Sequence, residues 1–516
     1  MATLFDQLLE KFAFHPIALL SFLSFLIILY PWLSTKNQLP SPRKLPIIGN
    51  LHQLGTLPHR SLRKLSEKYG DLMLLHLGSK PTLVVSSPKA AAAILKTHDI
   101  VFTDRPISKV ALILFYDCIE LAFGKYGEYW RQVRNLCMMH MLGSKKVRTL
   151  RRIREEEVSL MVENIRKSTL MNPGVSVNLR DYFTTLINDL VSRSAFGRKY
   201  EAEEGCGNLK ELLTDFVGVL GSFSVGTYVP WLSWIDHMRG VFRKATAVAK
   251  AFDVFLDKIV QEHIDRRLNS QSRIDQDNEA FEGDRDRDLV DILLDYHKTY
   301  PSFGRVNVKA LLLDILVAGV ETTVTLLEWT MSELILHPEI MKRLQDEVRG
   351  FVKDKTFIDE ADLQNMSYLK SVIKEALRLH PSAPLLLPRE SSQDVKVYNY
   401  DIAAGTEVII NAWAIQRLPS LWDQPEEFRP ERFLNSTIDV KGNDFEYIPF
   451  GAGRKACPGL SFGIANAELA LANLVGLFEW KVPDELQGDS FMDENFGSTV
   501  SRRYPLTAIP TPYSSN

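Results

Sequence analysis

Hydrophobic positions fall into distinct regimes along this chain. From Phe12 to Thr35 no charged residue occurs, and the run through Leu19-Leu20, Phe22-Leu23 and Phe25 to Leu29 is long enough to span a bilayer at about 1.5 Å per residue. Between residues 145 and 268 charged and apolar positions alternate at helical spacing, with breaks at Asn172-Pro173-Gly174 and around Pro230-Trp231, which predicts scaffold helices. Long apolar stretches then return. They predict a helix from about Asn307 to His337, ended by Pro338, and another from Leu460 to Phe478. Leu72 to Leu77 and Thr82 to Ser86, around Gly78-Ser79-Lys80-Pro81, read as a hairpin, followed by a short helix over Pro88 to His98. Val395 to Ile410 alternates as sheet, with a turn at Gly405. The polar stretch from Asn269 to Asp288 reads as an exposed loop. The pattern predicts a mainly α fold with a smaller β region.

The first apolar run is a membrane-anchor candidate over residues 1–35. A cleaved signal peptide or a buried helix would also be apolar, but the run is long for the former and no small-residue cleavage site follows it. Lys36, Arg43 and Lys44 follow the run, whereas Asp6, Glu10 and Lys11 precede it, so the positive-inside rule places the rest of the chain in the cytosol. That orientation suits a single-pass protein of the endoplasmic reticulum membrane. Residues 36–50 contain Pro40, Pro42 and Pro46 and read as a stiff extended hinge. The remainder, 51–516, shows no composition shift and reads as one catalytic domain. With 24% charged residues and a formal net charge of −3, the chain offers nucleic acid no basic surface. Cys118, Cys137, Cys206 and Cys457 show no paired spacing, which suits a reducing compartment without a disulfide framework.

The chemistry concentrates at Phe450-Gly451-Ala452-Gly453-Arg454-Lys455-Ala456-Cys457-Pro458-Gly459. Gly451 and Gly453 permit a tight turn that a flat cofactor can approach, and Cys457 sits where a helix begins, next to amides that favour a thiolate. Such a cysteinate on haem iron pushes electron density toward a ligand on the opposite face, as O–O cleavage requires. Three other readings compete. A lone cysteine is commonly a small buried hydrophobe; zinc would need further ligands at close spacing; and Gly451-x-Gly453-x-x-Ala456 matches a dinucleotide fingerprint, although Pro449 and Pro458 suit neither its strand nor its helix.

Other motifs gain meaning beside that loop. Trp130 and Arg134, four apart, share a helix face and could clamp a carboxylate with an indole N–H and a guanidinium. Ala318-Gly319-Val320-Glu321-Thr322-Thr323 interrupts an apolar helix with small, acidic and hydroxylic residues. This is either a kink with a surface glutamate, or a groove where dioxygen lies beside Thr322 while Glu321 and water deliver protons. Glu375 and Arg378 can pair three apart, as can Glu163 and Arg166, but only the former precede a proline-rich turn, a sheet and Phe428-Arg429-Pro430-Glu431-Arg432-Phe433.

The proline-rich hinge, the acid-alcohol segment, the Glu375-Arg378 helix and the cysteine loop, in this order along the chain, resemble the cytochrome P450 family, most closely plant A-type members of the 71 clan. The resemblance implies haem b with Cys457 as axial ligand, propionates held by Trp130, Arg134, Arg389 and Lys455, and Phe450 and Ala318 against the haem. It implies proton delivery by Glu321 and Thr322, and a structural network of Glu375, Arg378 and Arg432. Phe115, Leu386 and Ser498 would line the substrate pocket, with Leu385 to Leu387 touching substrate. Lys455 departs from the family's usual arginine, keeping the charge but losing the bidentate fork. The implied activity is insertion of one atom of O2 into an apolar small molecule, such as a terpenoid, phenolic, coumarin or aldoxime of plant specialised metabolism. Electrons would come from NADPH through a separate reductase. Reductase-independent isomerases or dehydratases also occur in the family, and a non-enzymatic haem-binding membrane protein would share the cysteine loop.

Overall fold

The computed structural model describes residues 39–200, 209–277, 287–300, 302–352, 355–483, 488 and 490–513. The anchor candidate at 1–35, Cys206 and most of the charged run before Asp288 lie outside these residues.

Helices dominate, and one of them is the axis of the molecule. Arg305–Leu336 runs for 32 residues, about 48 Å at 1.5 Å per residue. It is apolar on nearly every side because other helices surround it: Leu179–Phe196 along one flank, Val241–Asp277 and Leu289–Thr299 on others, and Leu460–Leu477 below. Gly319 lets the flank helix approach, since a Cβ there would lie 3.2 Å from Val191 Cγ2. Among the described residues Arg305–Leu336 and Leu460–Leu477 are long and apolar enough to cross a membrane, yet both are buried mainly inside the protein.

The β region forms a second, smaller core. Leu72–Leu77 and Lys80–Val85 pair antiparallel with Leu72 opposite Val85, Lys80–Val85 runs parallel to Glu407–Ile410, and Arg389–Glu390 closes the far edge. This sheet carries Arg389 inward, beside the cysteine loop. Residues 39–50 are not a free spacer: Leu39 is buried, Leu74 N donates to Pro40 O at 2.9 Å, and Leu45 bridges Gly49. An extended proline-rich strip presents unpaired carbonyls, and the sheet captures them.

One local expectation needs correction: the predicted loop from Asn269 is helical as far as Asp277, because Ser270 to Asp277 contains neither glycine nor proline to stop the helix. The short helix expected over Pro88 to His98 is present, α-helical over Pro88–Ala92 and π-helical over Ala93–Thr97. The break at 172–174 is present, with Gly174 at φ 78°.

Candidate active site

Cys457 opens onto a largely apolar cavity of about 330 Å³. The loop that presents it turns twice in left-handed backbone, Gly451 at φ 70° and Gly453 at φ 73°. A Cβ on Gly453 would strike Leu95 O and the Asp99 carboxylate, so no larger residue fits there. The turn is closed by Cys457 N donating to Phe450 O at 3.0 Å. Cys118, Cys137 and Cys457 are free thiols, but of these only Cys457 has an exposed surface, and that surface faces the cavity. Burial pushes the Cys457 thiol up, while the amides of Gly459 and Leu460 and the Arg134 guanidinium pull the other way. The helix-start amides act in the expected direction, but in the protein alone burial outweighs them.

Another wall is the middle of the central helix. Between Val308 and Leu334 only Ala318 is exposed, and only Gly319, Glu321 and Thr322 are half-buried; every other residue is buried. Four small or polar residues thus form the one gap in an otherwise covered helix, and all four line the cavity. Thr322 Oγ1 donates back to Ala318 O at 2.7 Å, which ties the hydroxyl to the gap. Glu321 Oε1 accepts from Arg180 Nη2 at 2.7 Å and from Thr499 Oγ1 at 3.3 Å. The second nitrogen of Arg180 donates to the fully buried Glu328 at 2.6 Å. Arg180, Thr184, Lys210 and Thr214 line a second, polar cleft that also reaches Glu321.

Cations gather at the cysteine end. Arg134 Nη2 donates to Ala456 O at 3.0 Å, Lys455 Nζ to Gly124 O at 2.5 Å, and Arg389 to Ala452 O at 2.8 Å and Asp99 at 3.0 Å. Arg105 joins them, donating to Leu387 O at 2.6 Å. Burial lowers all four, Arg105 to about 9 and Lys455 to about 7. Facing them, burial pushes the Asp314 carboxyl up to about 6, and burial with Asp314 nearby pushes Glu120 up to about 8. Trp130 is placed differently from the expected clamp. Its indole N–H is committed to Leu121 O at 3.0 Å, so it offers a ring face, with Lys455 Nζ 4.1 Å and the Arg134 guanidinium 5.3 Å from its centroid.

Phe115, Leu386, Phe450 and Ser498 all border the same cavity. Leu386 does so from a left-handed position, φ 53°, in the turn before Arg389. Ser498 sits between strands Glu494–Phe496 and Val500–Arg502, which pair with Val500 opposite Phe496. Glu375, Arg378 and Arg432 lie apart from the cavity but together. Arg378 Nε and Nη2 donate to the two oxygens of Glu375 at 2.7 and 2.8 Å, and Arg432 Nε donates at 2.9 Å. Sequence reading missed Arg180, Arg105, Asp99 and Asp314. Only Asp314 carried a visible signal, an acid inside Leu311 to Val317.

The donor set suits a metal macrocycle bearing carboxylates: a single soft sulfur ligand at a largely apolar cavity, with Arg105, Arg389 and Lys455 buried beside it and Arg134 half-buried. A family model described as Cytochrome P450 matches residues 39–507. Cytochrome P450 736A117 of Prunus mume is 48% identical, over 98% of each chain. Cytochrome P450 71A6 of Nepeta racemosa is 46% identical over 96% of this chain and 99% of its own. Norfluorocurarine oxidase of a Strychnos species is 46% identical over 95% of this chain and 96% of its own. The cysteine turn, the gap in the central helix and these full-length likenesses agree: the chain belongs to the cytochrome P450 family of haem-thiolate monooxygenases, within the plant 71 clan.

Proposed function

We propose that this monooxygenase inserts one atom of O2 into an apolar plant metabolite, using electrons that pass from NADPH through a separate reductase. One observation carries the reading: Cys457 and the gap at Ala318 and Thr322 border one and the same cavity. Haem iron held by a thiolate supplies dioxygen activation there.

The placement of the chain's own residues supports a role for each. Cys457 would hold the iron. Arg134, Arg389, Lys455 and the additional Arg105 would neutralise the propionates, with the Trp130 ring against Lys455 and Arg134. Ala318, lacking a bulky side chain, would leave room for the macrocycle and for O2. Thr322 and Glu321 hold and move protons, and the polar cleft past Arg180 and Lys210 connects Glu321 to solvent. The apolar lining, including Phe115 and Leu386, excludes bulk water and selects a hydrophobic substrate. The oxidase name of the Strychnos relative supports an oxidative reaction on a plant specialised metabolite. The apolar run before Thr35 anchors the protein in the endoplasmic reticulum membrane, with the catalytic domain in the cytosol.

The test is reconstitution in vesicles with a plant NADPH-dependent reductase and a panel of terpenoids, phenolics, coumarins and aldoximes, under isotopically labelled dioxygen. Label in a product, dependent on NADPH and reductase, is expected. Product formed equally well without NADPH would favour the isomerase or dehydratase reading instead.

A further inference from the structure

The cavity wall at Phe115 is followed by backbone that L-residues avoid. Tyr116, Asp117 and Cys118 have φ of 49°, 57° and 58°, three successive non-glycine residues in the left-handed region. There Cβ crowds the following carbonyl, so surrounding contacts must hold the turn in place.

The contacts are specific. Tyr116 Oη donates to Asp253 Oδ1 at 2.8 Å, and Lys309 Nζ meets the same oxygen at 2.5 Å. Lys309, buried on the central helix, also reaches Asp257 at 3.2 Å. Burial, and then Asp253, push the Tyr116 phenol well up, so it remains a donor to that carboxylate. A second tie runs alongside. The Phe115 ring packs 5.1 Å from Phe123 and 5.2 Å from Phe216, and Phe216 packs 5.3 Å from Phe252. Phe115 and Tyr116 are neighbours in the chain, as are Phe252 and Asp253. One short segment is therefore tied to one helix twice, by edge-to-face ring contacts running through Phe216 and by a charge-assisted hydrogen bond beside them.

We propose that the Tyr116–Asp253–Lys309 contact is a latch that fixes Phe115 as a rigid wall of the substrate cavity, making Tyr116 a positioning residue for the substrate. The latch rests on the reading of this cavity as the substrate chamber. It touches neither Cys457 nor the cations around it, so its effect separates from haem binding.

The experiment compares the full-length, haem-loaded protein in vesicles with Tyr116→Phe, Asp253→Ala and the double variant. Lys309 keeps Asp257 as its partner when Asp253 is shortened, so the second variant does not strand a buried charge. Two readouts are taken: hydrogen exchange of peptides spanning residues 108–124, and dissociation of 4-phenylimidazole from the haem by stopped-flow absorbance, with imidazole as a ligand too small to touch the wall. Loss of the Tyr116–Asp253 hydrogen bond is expected to speed exchange and phenylimidazole release about tenfold in Tyr116→Phe, and at least as much in Asp253→Ala, which also frees Lys309 from that oxygen. Imidazole release stays as in wild type, and the double variant is no faster than Asp253→Ala. Unchanged exchange and release would overturn the latch, as would additive effects in the double variant. Loss of haem incorporation in both single variants would make the contact part of the scaffold and overturn it equally. A wild type with no haem spectrum would instead sink the proposed function, while the exchange measurement would still judge the latch.

Discussion

Replacing Glu375 with alanine should cost the protein both stability and haem. The Glu375 carboxylate accepts four hydrogen bonds, from Arg378 Nε and Nη2, Arg432 Nε and the Arg429 amide, all within 2.9 Å. The side chains of Glu375 and Arg378 are both fully buried. Without the carboxylate, Arg378 keeps only the carbonyls of Gln416, Pro425 and Glu427, and its charge is left buried without a counter-ion. Breaking one half of such a pair costs about 3–5 kcal/mol, against a total stability on the order of 5–15 kcal/mol. The damage reaches the site by a short path. Gln416 donates to Leu377 O and Arg378 O and accepts from Ile448 N, while Tyr447 Oη donates to Lys374 O, so the strand of chain entering the cysteine loop hangs from this helix. The assay is thermal unfolding together with haem absorbance per protein. Glu375→Ala should unfold well below wild type and retain little haem. Glu375→Gln, which keeps the shape and one acceptor, should fall between. Wild-type haem content and midpoint in Glu375→Ala would refute the reasoning.

Other expectations concern the proton path and pH. Thr322→Ala and Glu321→Gln should lower product formed per NADPH consumed by on the order of tenfold or more, with carbon monoxide binding intact; full coupling in both would remove them from proton delivery. Arg180→Gln should act on the same ratio, because Arg180 orients Glu321 through Nη2, and it should also lower stability by leaving the buried Glu328 short of a cation. Equal coupling with equal stability would show that this bridge is idle. Glu494 is held down to about 2 despite burial, by hydrogen bonds from His59 and Arg60, compared with an ordinary value of 4.5. A depressed carboxylate stabilises the fold above its unfolded pKa, and that contribution disappears as pH falls toward the folded value. The gap in stability between wild type and Glu494→Gln should therefore be about 3 kcal/mol near neutrality and narrow below pH of about 4.5. A gap that stays constant with pH in urea titrations would contradict the assignment.

The parts of the site that were legible in the sequence are those written in short strings. The cysteine turn needs glycine at two left-handed positions and a cysteine at the helix start, all within ten residues, and the gap in the central helix shows as small and polar residues inside an apolar run. The long-range pairs were not legible. Arg180 and Glu321 are 141 residues apart, Asp99 and Arg389 are 290, and nothing near either end marks the partner. Spacing alone also misleads: Glu163 and Arg166 match the pattern of Glu375 and Arg378, yet Glu163 pairs with Lys167 and Arg166 donates to Thr356 O. Burial separates the two cases, and burial is a property of the fold. The polar stretch after Asn269 fails for the converse reason, since solvated composition is compatible with helix as well as loop. Trp130 borders the cavity, but its spacing from Arg134 gives no sign that its indole N–H has a backbone acceptor.

The central claim rests on Cys457, and the carbon monoxide difference spectrum of the reduced, membrane-bound protein tests it most directly. Wild type should give the strongly red-shifted Soret band of a thiolate-bound haem, and Cys457→Ala should abolish it. A wild type without that band, or a Cys457→Ala variant that retains it, would contradict the account.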